Sequence, residues 1–486
     1  MTRPLVDTAM GRQKADLVLR NSCLVNVNSG EILEKQDVAV KKDRIVLVGN
    51  AEHTIGPATQ VIDVDGKYLA PGFIDGHVHI ESAMVTATQF AAAVLPHGTT
   101  TVFVDPHEIA NVLGLDGVKL FLNESQDLPL KVLVTFPSCV PAAPGFETTG
   151  ATIGPVDVEE ALQWKGVVAL GEMMNYPGAL SGDSKVHGEI AATLKAGRVV
   201  EGHAVDLLDK DLSAYVAAGV TSCHESTRKI HAVQKLRLGM YAMLREGSAW
   251  RDVAETVRSV TEQKLNPRHV CLVTDDREPN SILHEGHIDH VVRRAIEEGV
   301  DPITAIQMAT LNVAEHYECA RELGSIAPAR YADMLILDRL TTVVVKTVIA
   351  DGKVVSRNGK LLATIAMPTY PDFARRSMQL KRLPIPEDLV IKSARTDTGS
   401  VRVRAIGVIP ASAYTRHLES ECRVKDHKVS MNLDEDVIKI AVFERHKASG
   451  NAGVGFVKGF ELKEGAVAST VAHDSHNLVV AGANEE

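Results

Sequence analysis

His77, His79 and Glu81 occupy alternate positions of the largely apolar stretch "PGFIDGHVHIES", Pro71 to Ser82. Successive side chains of a strand face opposite sides, so these three share one face while Val78 and Ile80 share the other. The apolar face can pack on neighbouring elements; imidazoles buried opposite it cost free energy unless something binds them. Two hydrogen-bonded core histidines are one reading of this pair, and a metal site is the other. Other apolar runs also finish on a ligand-type residue: Glu172 in "VVALGEM", His203 in "VVEGHA", His224 in "VTSCHE" and Asp275 in "VCLVTDD". Several such ends are hard to explain as solvated polar tips, and together they favour metal. Four imidazoles and two carboxylates without thiolate suit a borderline divalent ion such as Zn, Mn or Fe(II). Six ligands suffice for two ions about 3.5 to 4 Å apart if one carboxylate bridges, and paired ions lower the pKa of a shared water from about 15.7 towards about 7. Such a site makes its own nucleophile at neutral pH.

The elements that must position these residues are legible as changes of texture. Between Gly72 and Asp275, short apolar runs alternate with helical stretches: "FIDGHVHI", "TTTVFVDP", "KVLVTFPS", "GVVALGEM", "RVVEGHA", "GVTSCHE", "YAMLREG" and "HVCLVTDD". Eight such strands, of which "YAMLREG" carries the faintest pattern, predict a (β/α)8 barrel over residues 71–323, and the ligand-type residues then fall on the rim where such barrels build their sites. Two further helical segments follow, "HIDHVVRRAIEEG" and "DPITAIQMATLNVAEHY", the second with Asp301 as N-cap and Pro302 at the first helical position. On either side the text is hairpin-like, with turns at Asn28-Ser29-Gly30 and Lys42-Asp43. Residues 1–70 and 324–366 are therefore expected to form one small β-domain, split in sequence by the barrel. A proline-rich hinge, "MPTYPDFARRSMQLKRLPIPEDL", opens a C-terminal region, 367–486, of mixed α+β character.

Bulk composition narrows the function. The 486 residues are 45% hydrophobic but only 4% aromatic, so the apolar mass is aliphatic and suits helices on parallel strands. A formal net charge of −10 with scattered Lys and Arg argues against a nucleic-acid or anionic-membrane surface and for a small-molecule partner. The six cysteines are far apart and form no C-x-x-C pair, and no apolar run approaches a signal-peptide core or a membrane span, so a cytoplasmic protein with reduced thiols is expected.

The H-x-H strand, a carboxylate on strand four, histidines after strands five and six and an aspartate after strand eight resemble the amidohydrolase superfamily. Within it, "PGFIDGHVHIES", "AVLPHGTTTVFVDPHEIANVLG", "EGHIDHVVRRAI" and "VAHDSHNL" resemble the bacterial adenine deaminases. Many relatives bridge their metals with a carbamylated lysine; Glu172 matches the adenine deaminase pattern instead, and Lys165 lies too early in its segment to substitute. The resemblance implies hydrolysis of adenine to hypoxanthine and ammonia with two Mn(II) or Fe(II) ions. It implies His77 and His79 on one ion, His203 and His224 on the other, Glu172 as bridge, and Asp275 on metal while shuttling the proton. Asp276 stays open as the alternative to Asp275, because a one-residue error in strand phase exchanges their directions. Glu81 is expected to contact a purine nitrogen or to orient a ligand histidine, and His107 and Glu108 in "DPHE" to recognise substrate or to be solvated. His284, His287 and His290 fall at helical spacing and are read as a helix surface, and "HDSHN" (His473 to Asn477) as a weak second cluster. The resemblance also implies a C-terminal domain longer than the one ending at Glu486, so that domain is expected to be truncated and its strand "NLVVAGA" to lack partners. Barrels of this kind often pair into homodimers. Two rival functions are hydrolysis of a cyclic amide on the same scaffold, as in hydantoinase-like and dihydroorotase-like relatives, and a non-catalytic metal-binding protein.

Overall fold

The computed structural model describes residues 2–394, 397–410, 412 and 414–485. The chain divides into two compact units: Met1–His107, Lys119–Cys139 and Ile153–Pro368 form the first, and Glu108–Val118, Val140–Thr152 and Thr369–Glu486 the second.

In the first unit, the hairpin-like segments on either side of the alternating region meet in one nine-stranded sheet. The join is antiparallel pairing of Met334–Leu337 with Tyr68–Pro71, which sets Met334 opposite Pro71 and Leu337 opposite Tyr68. One face of this sheet buries Leu19, Leu24, Val38, Val40, Ile45, Leu69, Met334 and Ile336 in a single apolar cluster. The polypeptide passes from Pro71 directly into the strands that carry the site.

Those strands are β1 (Phe73–His79), β2 (Thr99–Val104), β3 (Lys131–Phe136), β4 (Val167–Met173), β5 (Val199–Gly202), β6 (Ser222–Cys223), β7 (Tyr241–Arg245) and β8 (Val270–Val273). All eight expected runs are strands, the faint seventh included. Consecutive members pair in parallel from β1 to β5 and again from β6 to β8. After β8 the short strand Asp275–Asp276 pairs in parallel with β1, placing Asp275 opposite Val78 and Asp276 opposite His79. Between β5 and β6 the link is a hydrogen bond from Thr221 N to Val200 O, 3.0 Å. A β-carbon on Gly202 would stand 2.5 Å from Ser222 O, so glycine is what lets the two chains approach there. Helices fill most of the connections, among them Ala87–Val94, Ser184–Lys195, Asp209–Ala217 and Lys229–Arg237. Ile74, Phe103, Ala169, Met243, Cys271 and Val273 from five of the strands share one apolar cluster with Val313, Ala314 and Tyr317 at the helix Leu311–His316.

Several expectations need correction. The single helix read from Asp301 onward is two, Pro302–Met308 and Leu311–His316, interrupted at Thr310, whose hydroxyl donates to Ile306 O at 2.6 Å. Its start is as read: the Asp301 side chain accepts from Thr304 N and Pro302 holds the first position. His287 is not on a helix surface. It is fully buried, with Nδ1 2.9 Å from Thr99 Oγ1 and Nε2 3.4 Å from Asp75 Oδ2, while His284 is exposed and His290 half-buried.

The second unit is built on a seven-stranded sheet running from Thr398 to Gly482. The mixed α+β texture expected for 367–486 resolves, among the described residues, into strands with only single-turn helices, Asp372–Arg375 being one. The strand Asn477–Gly482, expected to lack partners, pairs antiparallel with Val437–Phe443 on one side and Ala466–Ala472 on the other. Among the described residues, no helix is long and apolar enough to cross a membrane.

Candidate metal centre

The C-terminal ends of the parallel strands gather His77, His79, Glu172, His203, His224 and Asp275, all within the first unit. Glu172, at the end of β4, sits at the middle. Its Oε2 lies 2.6 Å from His203 Nδ1, 3.1 Å from His224 Nε2 and 4.0 Å from His77 Nε2; its Oε1 lies 3.6 Å from His79 Nε2 and 3.2 Å from His107 Nδ1. Asp275 Oδ1 is 3.4 Å from His79 Nε2 and 3.8 Å from His77 Nε2. Ligand atoms of His77, Glu172 and His224, and of His77, His79 and Asp275, fall within 4.8 Å of one another. The rings of His77 and His224 stack at 3.8 Å.

The donor set fits cations, and the tautomers show why. His77 Nδ1 faces Glu201 Oε2 at 2.9 Å, and His79 Nδ1 faces the carbonyl of Asp105 at 2.9 Å. Both acceptors require a proton on Nδ1, so in the neutral rings both Nε2 atoms present bare lone pairs. Those two atoms lie 3.1 Å apart. Two lone pairs at that distance repel, and a positive ion between them and Asp275 is the arrangement that makes the contact favourable.

Backbone features aim these groups. A β-carbon on Gly171 would lie 2.1 Å from Asp105 Oδ2, so glycine before Glu172 lets the Asp105 carboxylate reach in and accept from Glu172 N at 2.9 Å. Ser138 Oγ donates to Glu172 O at 2.6 Å. Tyr215 OH donates to Met173 O at 2.6 Å and accepts from His203 N at 3.1 Å, tying β4 to the loop after β5. Asp275 has φ +59°, left-handed backbone that aspartate tolerates better than most residues.

Burial and charge set the acidities of these groups. Burial alone would raise Glu172, but the charge on His203 and hydrogen bonds from His107, His203 and His224 hold it well below the usual carboxylate range. Burial would likewise raise Asp275, and the neighbouring His79 and the Arg245 guanidinium hold it well below. Burial lowers His203, yet Glu172 and Glu225 carry it up to about 9. His224 goes the other way: burial and the neighbouring His77 push it down to about 4.

The remaining site expectations divide. His107 enters the cluster, with Asp105, Cys139 and Glu172 as neighbours. Asp276 is half-buried, and its carbonyl accepts from Ser248 N at 3.0 Å. Glu81 does not continue the strand face of His77 and His79, because β1 ends at His79 and Glu81 opens a 3-10 turn, Glu81–Ala83. Glu108 belongs to the second unit, buried, with Oε1 3.7 Å from His473 Nδ1.

Three buried residues not singled out from sequence complete the site. Arg245, at the end of β7, donates to Asp275 Oδ2 at 2.8 Å, to Asp252 Oδ2 at 3.0 Å and to Glu225. Glu225 follows His224 and lies 3.9 Å from both His203 Nε2 and His224 Nε2. Glu201 lies in β5, two residues before His203.

Comparison with known proteins bears on this geometry. Residues 68–355 match the model of the amidohydrolase family, and residues 412–486 that of the adenine deaminase C-terminal domain. The chain belongs to the amidohydrolase family. It is similar to an adenine deaminase of Moorella thermoacetica, 53% identical over 486 residues that are 100% of this chain and 81% of the relative. It is also similar to an adenine deaminase of Clostridium botulinum, 48% identical over 489 residues with the same coverage. Among solved structures, the β-aspartyl dipeptidase of Fervidobacterium islandicum AW-1 superposes with a TM-score of 0.54 at 14% identity, over 72% of this chain and 99% of that one, a likeness of fold alone.

Proposed function

We infer that this chain hydrolyses adenine to hypoxanthine and ammonia. The observation that carries the reading is near-50% identity along the entire chain to proteins named adenine deaminase, and the buried cluster of His77, His79, Glu172, His224 and Asp275 supports it. The strand pairings support a (β/α)8 barrel as the scaffold, with Asp275–Asp276 closing onto β1.

His77, His79 and Asp275 would hold one divalent cation, His203 and His224 a second, and Glu172 would serve both. Mn(II) or Fe(II) suits this thiolate-free set, and Zn(II) is compatible with it. Bound there, paired cations supply Lewis acidity that makes hydroxide available at neutral pH. The protein's own groups do the rest. Asp275 relays the two protons of the attacking water, the first to the ring nitrogen N1 as the oxygen adds to C6 and the second to the exocyclic amine, which leaves as ammonia while the C6 oxygen becomes the carbonyl of hypoxanthine. Arg245 donates to Asp275 Oδ2 and so keeps Oδ1 turned toward His77 and His79. The buried walls around Glu172 exclude bulk water and strengthen each of these interactions. Its six cysteines, all free, suit a reducing compartment, in keeping with the cytoplasm.

The test is incubation of the manganese-loaded protein with adenine. Formation of hypoxanthine and ammonia in equal amounts is expected; no ammonia from adenine, with turnover of a hydantoin or dihydroorotate instead, would replace this reading with cyclic-amide hydrolysis.

A further inference from the structure

Glu201 lies in β5 and His203 one residue past its end, yet they serve different places. His203 Nδ1 meets Glu172, whereas Glu201 Oε2 reaches across to His77 Nδ1 at 2.9 Å. The two histidines of the H-x-H strand are therefore held unequally: His79 by a neutral carbonyl, His77 by a carboxylate. Glu201 is only 1% exposed, and beside it lies Tyr317, whose hydroxyl donates to Gly76 O at 2.7 Å and whose ring stacks on Phe103 at 3.6 Å. A carboxylate buried in such surroundings needs a donor facing it. The Nδ1–H of His77 is that donor, and it matters beyond this hydrogen bond because the other nitrogen of the same ring points into the cluster.

We propose that Glu201 is a positioning residue for the cation held by His77, His79 and Asp275. It fixes the proton of His77 on Nδ1, aims the Nε2 lone pair at the cation and makes that imidazole the stronger donor of the pair. His203, one residue past the end of the same strand, would serve the second cation, so β5 runs from one position to the other. The proposal rests on the two-cation reading of the site and goes beyond it by predicting that the two ions are held unequally.

The full chain is stripped of metal and titrated with Mn(II) against a chelator of known affinity, with bound metal counted per chain for wild type, E201Q and E201A. Wild type should take up two equivalents. E201Q, which keeps an acceptor but loses the charge, should hold one of the two about 10–100-fold more weakly, with the other unchanged, and E201A should weaken that same ion at least as far. Superposable isotherms, or equal weakening of both ions, would overturn the proposal. In the zinc-loaded wild-type chain the Nδ1 proton of His77 should resonate downfield of that of His79; coincident positions would overturn it even if the variants fail to fold. Fewer than two equivalents in wild type would instead overturn the two-cation reading itself.

Discussion

The nine-stranded sheet and the rim of the parallel strands belong to one compact unit but are built on opposite terms. The sheet buries Leu69, Val38 and Ile45 against one another, each completely, with no polar group to satisfy among them. The rim buries His77, Glu172, Glu201, Asp275 and Arg245 just as deeply. Burial of aliphatic side chains stabilises a fold by roughly 1.5–3 kcal/mol each, whereas buried ionised groups break even at best without good partners. One region secures the fold, and the other spends part of that security on holding charges where a ligand needs them.

That contrast predicts separable failures. The largest belongs to Glu172→Gln: with the bridge gone, adenine turnover should fall by more than about 10⁴-fold while the far-UV spectrum stays that of the wild type; retained turnover would show that Glu172 is not central. Asp275→Asn should cost about 10²–10⁴-fold in kcat, the range for losing a group that moves a proton, and a change confined to KM would mean that Asp275 only binds. Leu69→Ala should do the reverse. It should lower unfolding free energy by about 2–5 kcal/mol and leave kcat of the folded enzyme unchanged, a pairing checked by denaturant titration alongside initial rates.

The smallest effect is a pH dependence of the metal-free protein. His203 is carried up to about 9 in the fold, from an ordinary value near 6.5. A raised histidine contributes stability that is whole below about 6.5 and lost as pH climbs through about 9. The melting temperature of the metal-free chain should therefore decline across that window, and His203→Gln should flatten the decline. Affinity for Mn(II) should move oppositely over the same range, since a ligand imidazole must shed its proton. A parallel trend in both would contradict the assignment of His203 to a cation.

What could be read in advance follows the same division. The H-x-H strand was legible because a period of two puts both imidazoles on one face, and the ends of β4, β5, β6 and β8 because each apolar run stops on a ligand-type residue. Glu201 was hidden: inside "VVEGHA" a single glutamate looks like a solvent-facing strand position, and only the pairing of β5 with its neighbours turns it onto His77. Arg245 lay in the run with the faintest strand pattern. The ambiguity between Asp275 and Asp276 was real, since the left-handed backbone at Asp275 breaks the alternation on which strand phase depends. Glu81 failed for a related reason, the strand ending two residues too early for the alternation to reach it. His287 shows the opposite error. Helical spacing with His284 and His290 suggested a surface, but its partners Thr99 and Asp75 come from distant parts of the sequence.

The central claim is that paired cations around Glu172 make this chain an adenine-hydrolysing enzyme. It is tested most directly by adding Mn(II) stepwise to the metal-stripped protein while following hypoxanthine formation and bound metal together. Activity should rise from near zero and level off at two ions per chain. Saturation at two ions without hypoxanthine, or full activity with the metal removed, would contradict it.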